Sequence, residues 1–164
     1  QMKIIELRNY PDERGNLVSF WKDTEYEINF VEDRFSYSTK NVLRGLHGDS
    51  TTWKLIVPVY GEMQVFLVPY NFGITDTMET TEIILNSKEP KGILLPPGYL
   101  NGHLCLSGEC VFLYKWSNYY KGEDAQVSVR YNDPQLKLDW KIKEPILSKR
   151  DSTSPSFDQV VIYE

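Results

Sequence analysis

The sequence has few of the residues that bind metal ions or cross-link chains. Its 164 residues include two histidines and two cysteines. It has no Cys-x-x-Cys pair and no Cys/His cluster, so no structural zinc site is expected. Cys105 and Cys110 flank LSGE, a predicted hairpin turn, which makes a cross-strand disulfide geometrically conceivable. With no export signal, two reduced thiols are the expected state.

Long apolar runs and an excess of basic charge are also missing. No apolar run approaches the ~20 residues of a membrane-spanning helix. The opening QMKIIELRNY has no basic segment followed by a long apolar one, so no signal peptide is expected and a cytoplasmic location is predicted. The net charge of -5 argues against a nucleic-acid or anionic-membrane partner.

Short runs rich in Val, Ile, Leu, Phe and Tyr are abundant, and turn signals such as DERGN, NFGITD and NSKEPKG separate them. Examples are KIIELR, YEINFVEDRFSYS, WKLIVPVYG, MQVFLVPY and CVFLYKW. This pattern predicts one all-β domain over residues 1–164, an antiparallel sandwich or barrel. One short helix is predicted near 119–126, and the last 25 or so residues are expected to be irregular.

A metal-binding jelly roll would place two histidines near an HxH motif, then a glutamate, then a third histidine after PxG. Here RGLHGDSTTWK supplies His47, but Asp49 stands at the second position and Lys54 near the glutamate position. Asn101 stands at the third position, in PPGYLNGHLCL. His103 lies two residues further on and could face the same side of a strand, although a structural role is expected for it. These residues do not favour a divalent metal.

A second set of residues suits proton transfer next to a ketone. Neutral imidazole is well matched to removing a carbon-bound proton near neutral pH, and a carboxylate partner fixes its tautomer. A lysine ammonium can stabilise the enolate oxygen, and a tyrosine hydroxyl can return a proton from the other side. Candidates for these roles and for anion binding are His47, Asp151, Lys54, Tyr114 and Arg44. Each has a structural alternative: Lys54 could be solvated, Tyr114 could be core and Asp151 could be an ordinary surface acid.

Several motifs together resemble one family. LRGLH, FLYK and DPQLKLDW, with DERGNLVSF and LSKRDSTSP, are similar in order and content to the dTDP-4-dehydrorhamnose 3,5-epimerase family over nearly the whole chain. The resemblance implies a cupin-type β jelly roll and a homodimer with strand exchange. It also implies epimerisation, without cofactor or metal, next to the C4 ketone of a nucleotide-linked 4-keto-6-deoxy sugar.

The resemblance also implies roles for individual residues. His47 matches the base, Asp151 its acidic partner, Tyr114 the acid on the opposite face of the sugar, and Lys54 the lysine near the ketone oxygen. The resemblance also indicates the substrate-binding positions, some of which differ from the family pattern. They are Arg44, Arg14, Asn101, Glu32, Arg34 and Tyr119. Among these, Arg44 is expected at the diphosphate. Arg14 is expected at the nucleotide end, a contact that a dimer would allow from the neighbouring subunit.

The chain departs from the family pattern at positions expected near the substrate. YLNGH replaces the usual FAHGF, so Asn101 stands where the family has a second histidine. Glu32 and Arg34 replace Gln and Asn of FVQDN, and RGLHGD replaces RGLHYQ. HGDSTTWKL with NGHL is most similar to a branch that acts on GDP-linked 4-keto heptoses for bacterial capsule. The chain therefore favours a GDP-4-keto-6-deoxy-heptose as substrate, inverted at C3, C5 or both.

Three alternatives stay open. A 3,4-ketoisomerase on the same scaffold would move the ketone. A non-catalytic sugar-binding cupin would bind its ligand without exchanging hydrogen with solvent. A metal oxygenase would contain bound metal and lose its activity on chelation.

Overall fold

The computed structural model describes residues 2–70 and 79–161. Nearly all of its regular structure is short strands. They are β1 (Lys3–Glu6), β2 (Arg8–Asp12), β3 (Gly15–Ser19), β4 (Glu32–Thr39), β5 (Leu43–Asp49), β6 (Lys54–Tyr60), β7 (Glu62–Pro69), β8 (Thr81–Asn86), β9 (Lys91–Leu95), β10 (Tyr99–Cys105), β11 (Glu109–Trp116) and β12 (Val127–Ser128). The helices are a 3₁₀ turn (Glu123–Ala125), α1 (Lys149–Ser152) and α2 (Phe157–Val161).

Ten of the strands form two five-stranded sheets. Sheet I has the order β1-β9-β6-β11-β4, sheet II has the order β12-β5-β10-β7-β8, and β2 pairs with β3 in a separate hairpin. Every strand pair in these sheets is antiparallel. From β4 to β12 every connection except β7–β8 crosses between the sheets, which confirms the predicted all-β jelly roll of the cupin type.

The space between the sheets has an apolar half and a polar half. The apolar half is filled by a buried cluster that includes Met63, Val65, Leu85, Ile93 and Phe112. The polar half lies between β4 and β11 of sheet I and β5 and β10 of sheet II, where inward positions carry Arg, Ser, His, Asn and Tyr. Side chains alternate across a strand, so these polar residues share the inner face with the apolar cluster.

The outer faces of both sheets are covered in part. Residues 18–30 pack on Leu55, Val57 and Leu94 of sheet I. The chain from Val129 onwards packs on sheet II, and Gln64 of β7 forms hydrogen bonds with it. The Gln64 amide donates to the Asp139 carbonyl at 2.9 Å, and its oxygen accepts from the Lys141 N–H at 2.9 Å. This coverage explains why β7 is buried on both faces.

The structure corrects two local predictions, the hairpin turn at LSGE and the extent of the strand in YEINFVEDRFSYS. LSGE is not a hairpin turn within one sheet, because β10 belongs to sheet II and β11 to sheet I. Cys105 and Cys110 are both free and buried, as expected of reduced thiols, and burial raises the pKa of Cys110 to about 12. In YEINFVEDRFSYS only the part from Glu32 onwards is a strand.

The other local predictions have the following outcomes. The helix predicted near 119–126 is the single 3₁₀ turn, and the irregular tail contains α1 and α2. The turn predicted for NFGITD falls on residues 71–76, outside the described residues. None of the helices in the described ranges is long and apolar enough to span a membrane.

Candidate active site

A cavity of about 410 Å³ opens into the polar half of the jelly roll. Both sheets and the tail line it, so residues far apart in sequence meet there. The lining includes seven of the ten predicted site residues: Arg34, Arg44, His47, Lys54, Asn101, Tyr114 and Asp151. Seven of the predicted residues thus lie around one cavity, and their roles stay predictions.

His47 and Asp151 form a hydrogen-bonded pair on one wall of this cavity. The His47 Nε2 lies 2.6 Å from Asp151 Oδ1, and the Gly45 N–H donates to Asp151 Oδ2 at 3.2 Å. Burial would raise the pKa of Asp151, but its bonds to His47 and Gly45 and the nearby Arg150 lower it below the usual value. The ionised carboxylate only accepts, so Nε2–H donates and Nδ1 is the basic nitrogen of the ring.

Local structure positions this pair from two directions. Ser148 caps α1, where its side chain accepts from the Asp151 N–H at 3.1 Å. On β5, Gly45 has a φ of +136°, and a Cβ there would lie 2.5 Å from the Gly102 Cα. A larger residue is excluded by this close approach of β5 and β10 as well as by the backbone angle. Gly45 thus keeps its N–H directed at the carboxylate.

Lys54 is a buried cation from the opposite sheet, and it contacts Asn101, the residue paired with His47 across β5 and β10. Its side chain is 3% exposed, and its Nζ donates to Asn101 Oδ1 at 3.0 Å. The ammonium also lies 4.7 Å from the centre of the Trp116 ring, a cation–π distance. Burial lowers the pKa of Lys54 to about 8. Near neutral pH it is mostly an ammonium, able to stabilise negative charge on a ligand oxygen.

Tyr114 faces the cavity from sheet I, whereas His47 belongs to sheet II. Its ring packs against Phe112 and Trp116, with centroid distances of 5.2 and 5.6 Å. Facing sheets lie about 10 Å apart, which leaves room for a sugar ring between an acid on one wall and a base on the other.

Three arginines surround these four groups. Arg34 stacks 3.9 Å from the Tyr120 ring centre and pairs with Glu32 at 3.3 Å. Arg44 donates to Ser38 Oγ at 2.9 Å, and Arg150 donates to Ser128 Oγ at 2.9 Å. So many guanidinium groups around one cavity suit an anionic ligand such as a diphosphate.

The other predicted residues lie elsewhere. Arg14 is on the β2–β3 hairpin, pairs with Asp12 and has 83% of its side chain exposed, so in this chain it does not reach the cavity. Tyr119 is exposed, and its neighbour Tyr120 lines the cavity instead. Glu32 touches the site through Arg34. The roles of these residues stay predictions.

Sequence reasoning missed several lining residues, among them Ser36, Trp116, Tyr120, Gln126 and Arg150. Trp116 follows from the alternation along β11, because it shares a face with Tyr114. No such pattern indicates Tyr120 or Arg150. The sequence prediction named the residues adjacent to them, Tyr119 and Asp151.

His103 was expected to be a structural strand residue with only a weak chance of facing the cavity. It is 3% exposed and lines the cavity, where it stacks on Phe112 at 4.0 Å. Burial lowers its pKa to about 3, so it is neutral in ordinary buffers. Among the described residues, no group of three or more His, Cys, Asp or Glu side chains could hold a metal ion.

The sequence profile of the dTDP-4-dehydrorhamnose 3,5-epimerase family matches residues 1–159. The chain belongs to this family. The dTDP-4-dehydrorhamnose 3,5-epimerase of Salmonella typhimurium strain LT2 is 30% identical over 171 residues, covering 98% of this chain and 93% of that protein. That of Escherichia coli K12 is 30% identical over 168 residues, covering 96% and 90%. The chain is accordingly an enzyme of the isomerase class.

Solved structures of the epimerase family have the same fold. The dTDP-6-deoxy-D-glucose-3,5-epimerase of Legionella pneumophila Philadelphia 1, in complex with dTDP-4-keto-L-rhamnose, has a TM-score of 0.89 and 33% identity, covering 97% of this chain and 89% of that one. The Bacillus anthracis family member, with TDP and pyrophosphate bound, has a TM-score of 0.87 and 27% identity, covering 94% and 93%.

Proposed function

We propose that this epimerase inverts C3, C5 or both of a nucleotide-linked 4-keto-6-deoxy sugar. The observation that carries the proposal is His47 of sheet II, paired with Asp151 of α1, on the same cavity as Tyr114 of sheet I. Inversion needs a base and an acid on opposite faces of the same carbon, and this arrangement provides both.

The proposed reaction starts with His47. Its neutral imidazole takes the proton from the carbon next to the ketone, and the C–H electron pair moves to form the enolate. The Lys54 ammonium stabilises the charge on the enolate oxygen, and Asp151 stabilises the imidazolium. Tyr114 then donates its hydroxyl proton to the other face of that carbon as the ketone re-forms, which inverts the centre. Solvent restores both protonation states.

The cations around the cavity support a sugar nucleotide as the ligand. We place the diphosphate near Arg44, with Arg150 as a second cation on the tail side of the cavity. Because guanidinium groups bind phosphate oxygens in bidentate geometry, either residue suits this ligand.

The first nucleotide to test is dTDP, because the relatives are named for dTDP-sugars and the Legionella relative binds one. GDP-4-keto-6-deoxy-heptose, a precursor for capsular polysaccharide, is the second candidate. The paired Glu32 and Arg34 favour it, since a carboxylate accepts from the guanine N1 and N2 hydrogens while a guanidinium donates to O6 and N7.

We also propose that the enzyme is a homodimer. β4 is the edge strand of sheet I, and its outer face carries Phe35 and Tyr37, which are 70% and 50% exposed. Val59 and Tyr60 of β6 are likewise exposed. An unpaired strand edge beside exposed aromatic rings suits a second copy of the chain, and strand exchange would bring Arg14 close to the neighbouring cavity.

The test is hydrogen exchange in deuterated water. Enzyme is incubated with dTDP-4-keto-L-rhamnose or with GDP-4-keto-6-deoxy-heptose, and the C3 and C5 proton signals are followed by NMR. Loss of either signal with retention of the C4 ketone is expected. Exchange with neither substrate contradicts the proposal. A ketone that moves to C3 identifies a ketoisomerase, and tight binding without exchange identifies a sugar-binding cupin.

A further inference from the structure

Unsatisfied polar atoms are concentrated in the cavity. Among the described residues, the buried side-chain atoms without a hydrogen-bond partner include Ser36 Oγ, His103 Nε2 and Trp116 Nε1. All three residues line this cavity. Because a buried polar group without a partner destabilises the fold, such groups are retained where a ligand or water completes their hydrogen bonds.

Two of these residues meet at Phe112. Ser36 is paired with Phe112 across β4 and β11, and both face inwards. The His103 ring lies flat on Phe112, with centroids 4.0 Å apart and planes 3° apart. The hydroxyl and the imidazole thus both belong to residues that neighbour Phe112, one on sheet I and one on sheet II.

This place is beside the proton-transfer residues and separate from them. His103 follows Asn101 by two residues on β10, and Ser36 follows Arg34 by two on β4. Two residues span about 7 Å along a strand. That separation places His103 and Ser36 to one side of Asn101 and Arg34, where a non-reacting group of the sugar would lie.

The charges around His103 limit which kind of ligand group can bind there. Arg44 is paired with His103 across β5 and β10, and its charge acts on His103 more strongly than the opposing charge of Asp151, which disfavours a cation. Burial and the nearby Arg44 lower the pKa of His103, and a neutral imidazole offers one donor and one acceptor. A serine hydroxyl also both donates and accepts. A neutral hydroxyl group, which does the same, is the complementary ligand.

We propose that Ser36 and His103 form a subsite that binds a non-reacting hydroxyl group of the sugar and so selects among substrates. The proposal rests on the proposed function, in that the ligand is a 4-keto sugar nucleotide. Two hydroxyls take no part in the proposed reaction: the one on C2, which neighbours C3, and one on a side chain beyond C6. Both have the same hydrogen-bonding chemistry.

Substitutions at the subsite, combined with substrates that lack one hydroxyl, test the proposal. Ser36→Ala removes the hydroxyl, and His103→Phe keeps an aromatic ring on Phe112. Ser50→Ala, at an exposed residue outside the cavity, is the control. The substrates are GDP-4-keto-6-deoxy-heptose, the matching hexose, dTDP-4-keto-L-rhamnose and its 2-deoxy analogue. The kcat/KM for C3 or C5 exchange is measured for each pair.

We expect each subsite variant to lose about tenfold in kcat/KM on substrates that carry the bound hydroxyl, and less than twofold on those that lack it. A difference between the heptose and the hexose identifies the bound hydroxyl as the one on the side chain. A difference between dTDP-4-keto-L-rhamnose and its 2-deoxy analogue identifies it as the one on C2. Equal losses on every substrate, or no loss on any, overturn the proposal. If His103→Phe fails to fold, Ser36→Ala still decides.

Binding measurements separate failure of the subsite from failure of the proposed function. If no substrate exchanges hydrogen, the proposed function fails. Calorimetry with unreactive sugar nucleotides, with and without the 2-hydroxyl or the side-chain hydroxyl, then still tests the subsite. The variants should weaken the hydroxyl-bearing ligands and leave the affinity for GDP and dTDP unchanged. A change in GDP and dTDP affinity of the same size assigns the residues to general cavity structure and overturns the subsite.

Discussion

His47 and Asn101 lie directly opposite each other on the neighbouring strands β5 and β10. The imidazole with its carboxylate partner and the amide that holds Lys54 therefore share one wall of the cavity. Asn101 stands where the family pattern has a second histidine. Its carboxamide keeps the position polar without adding a titratable group, which makes Lys54 the cation nearest to this wall position.

Replacing Asp151 tests the base. Asp151→Asn should lower kcat for hydrogen exchange by at least about 100-fold at pH 7, because the amide neither fixes the useful tautomer of His47 nor stabilises the imidazolium. Asp139→Asn, at an exposed residue of the same tail, is the control and should retain full activity. Thermal melting checks that both variants fold. Full activity of Asp151→Asn contradicts the role.

Replacing Tyr114 separates the two halves of the reaction. Tyr114→Phe should retain proton removal by His47 while losing reprotonation from the opposite face, so solvent exchange should exceed inversion. NMR of the product measures both in one sample. Tyr60→Phe, at an exposed position, is the control. If exchange and inversion fall equally, Tyr114 is not the reprotonating acid.

The acidity of Lys54 predicts the alkaline limb of the pH profile. Its pKa of about 8 means that the ammonium is present below that pH and lost above it. We expect kcat/KM to fall as the pH rises through about 8. Lys54→Met should lower the rate by about 10²–10³-fold and abolish this limb. A limb that persists in Lys54→Met belongs to another group.

Asn101 should affect the alkaline limb of the pH profile, because it contacts the Lys54 ammonium. Asn101→Leu removes the oxygen that accepts from Nζ, and a buried ammonium without a partner loses its proton more easily. The limb should therefore move to lower pH. An unchanged limb would assign Asn101 to substrate contact alone.

The edge of sheet I predicts the oligomeric state. Phe35→Glu together with Tyr37→Glu should convert a dimer into a monomer in sedimentation velocity, because charges would be buried in the interface. Ile84→Glu, on the opposite sheet and 41% exposed, is the control. If the parent chain sediments as a monomer, the dimer proposal is wrong.

The Glu32–Arg34 pair predicts which nucleotide binds. Glu32→Gln should weaken the binding of GDP more than that of dTDP in calorimetry, since guanine offers more hydrogen-bond donors to a carboxylate. Equal effects on both nucleotides would remove the support for GDP.

The sequence predicted the architecture because strand runs and turn residues are local signals. It placed Lys54 and Tyr114 on strands for the same reason. Asp151 was a candidate partner of His47 by its residue type, and the resemblance supplied the assignment, since 104 residues separate the two and no local pattern connects them. LSGE was misjudged because a turn between sheets and a turn within one have the same composition. Ser36 carried no signal, because an unsatisfied hydroxyl is a property of packing.

The interior has an apolar half and a polar half, so substitutions that affect stability and substitutions that affect ligand binding fall in different places. Met63, Val65 and Leu85 fill the half away from the cavity, so substitutions there alter folding free energy and leave the ligand's surroundings intact. Ser36 and Asn101 contribute little apolar area, and under the proposed roles substitutions there would change which sugar fits. Such changes of substrate would then come without a matching loss of stability.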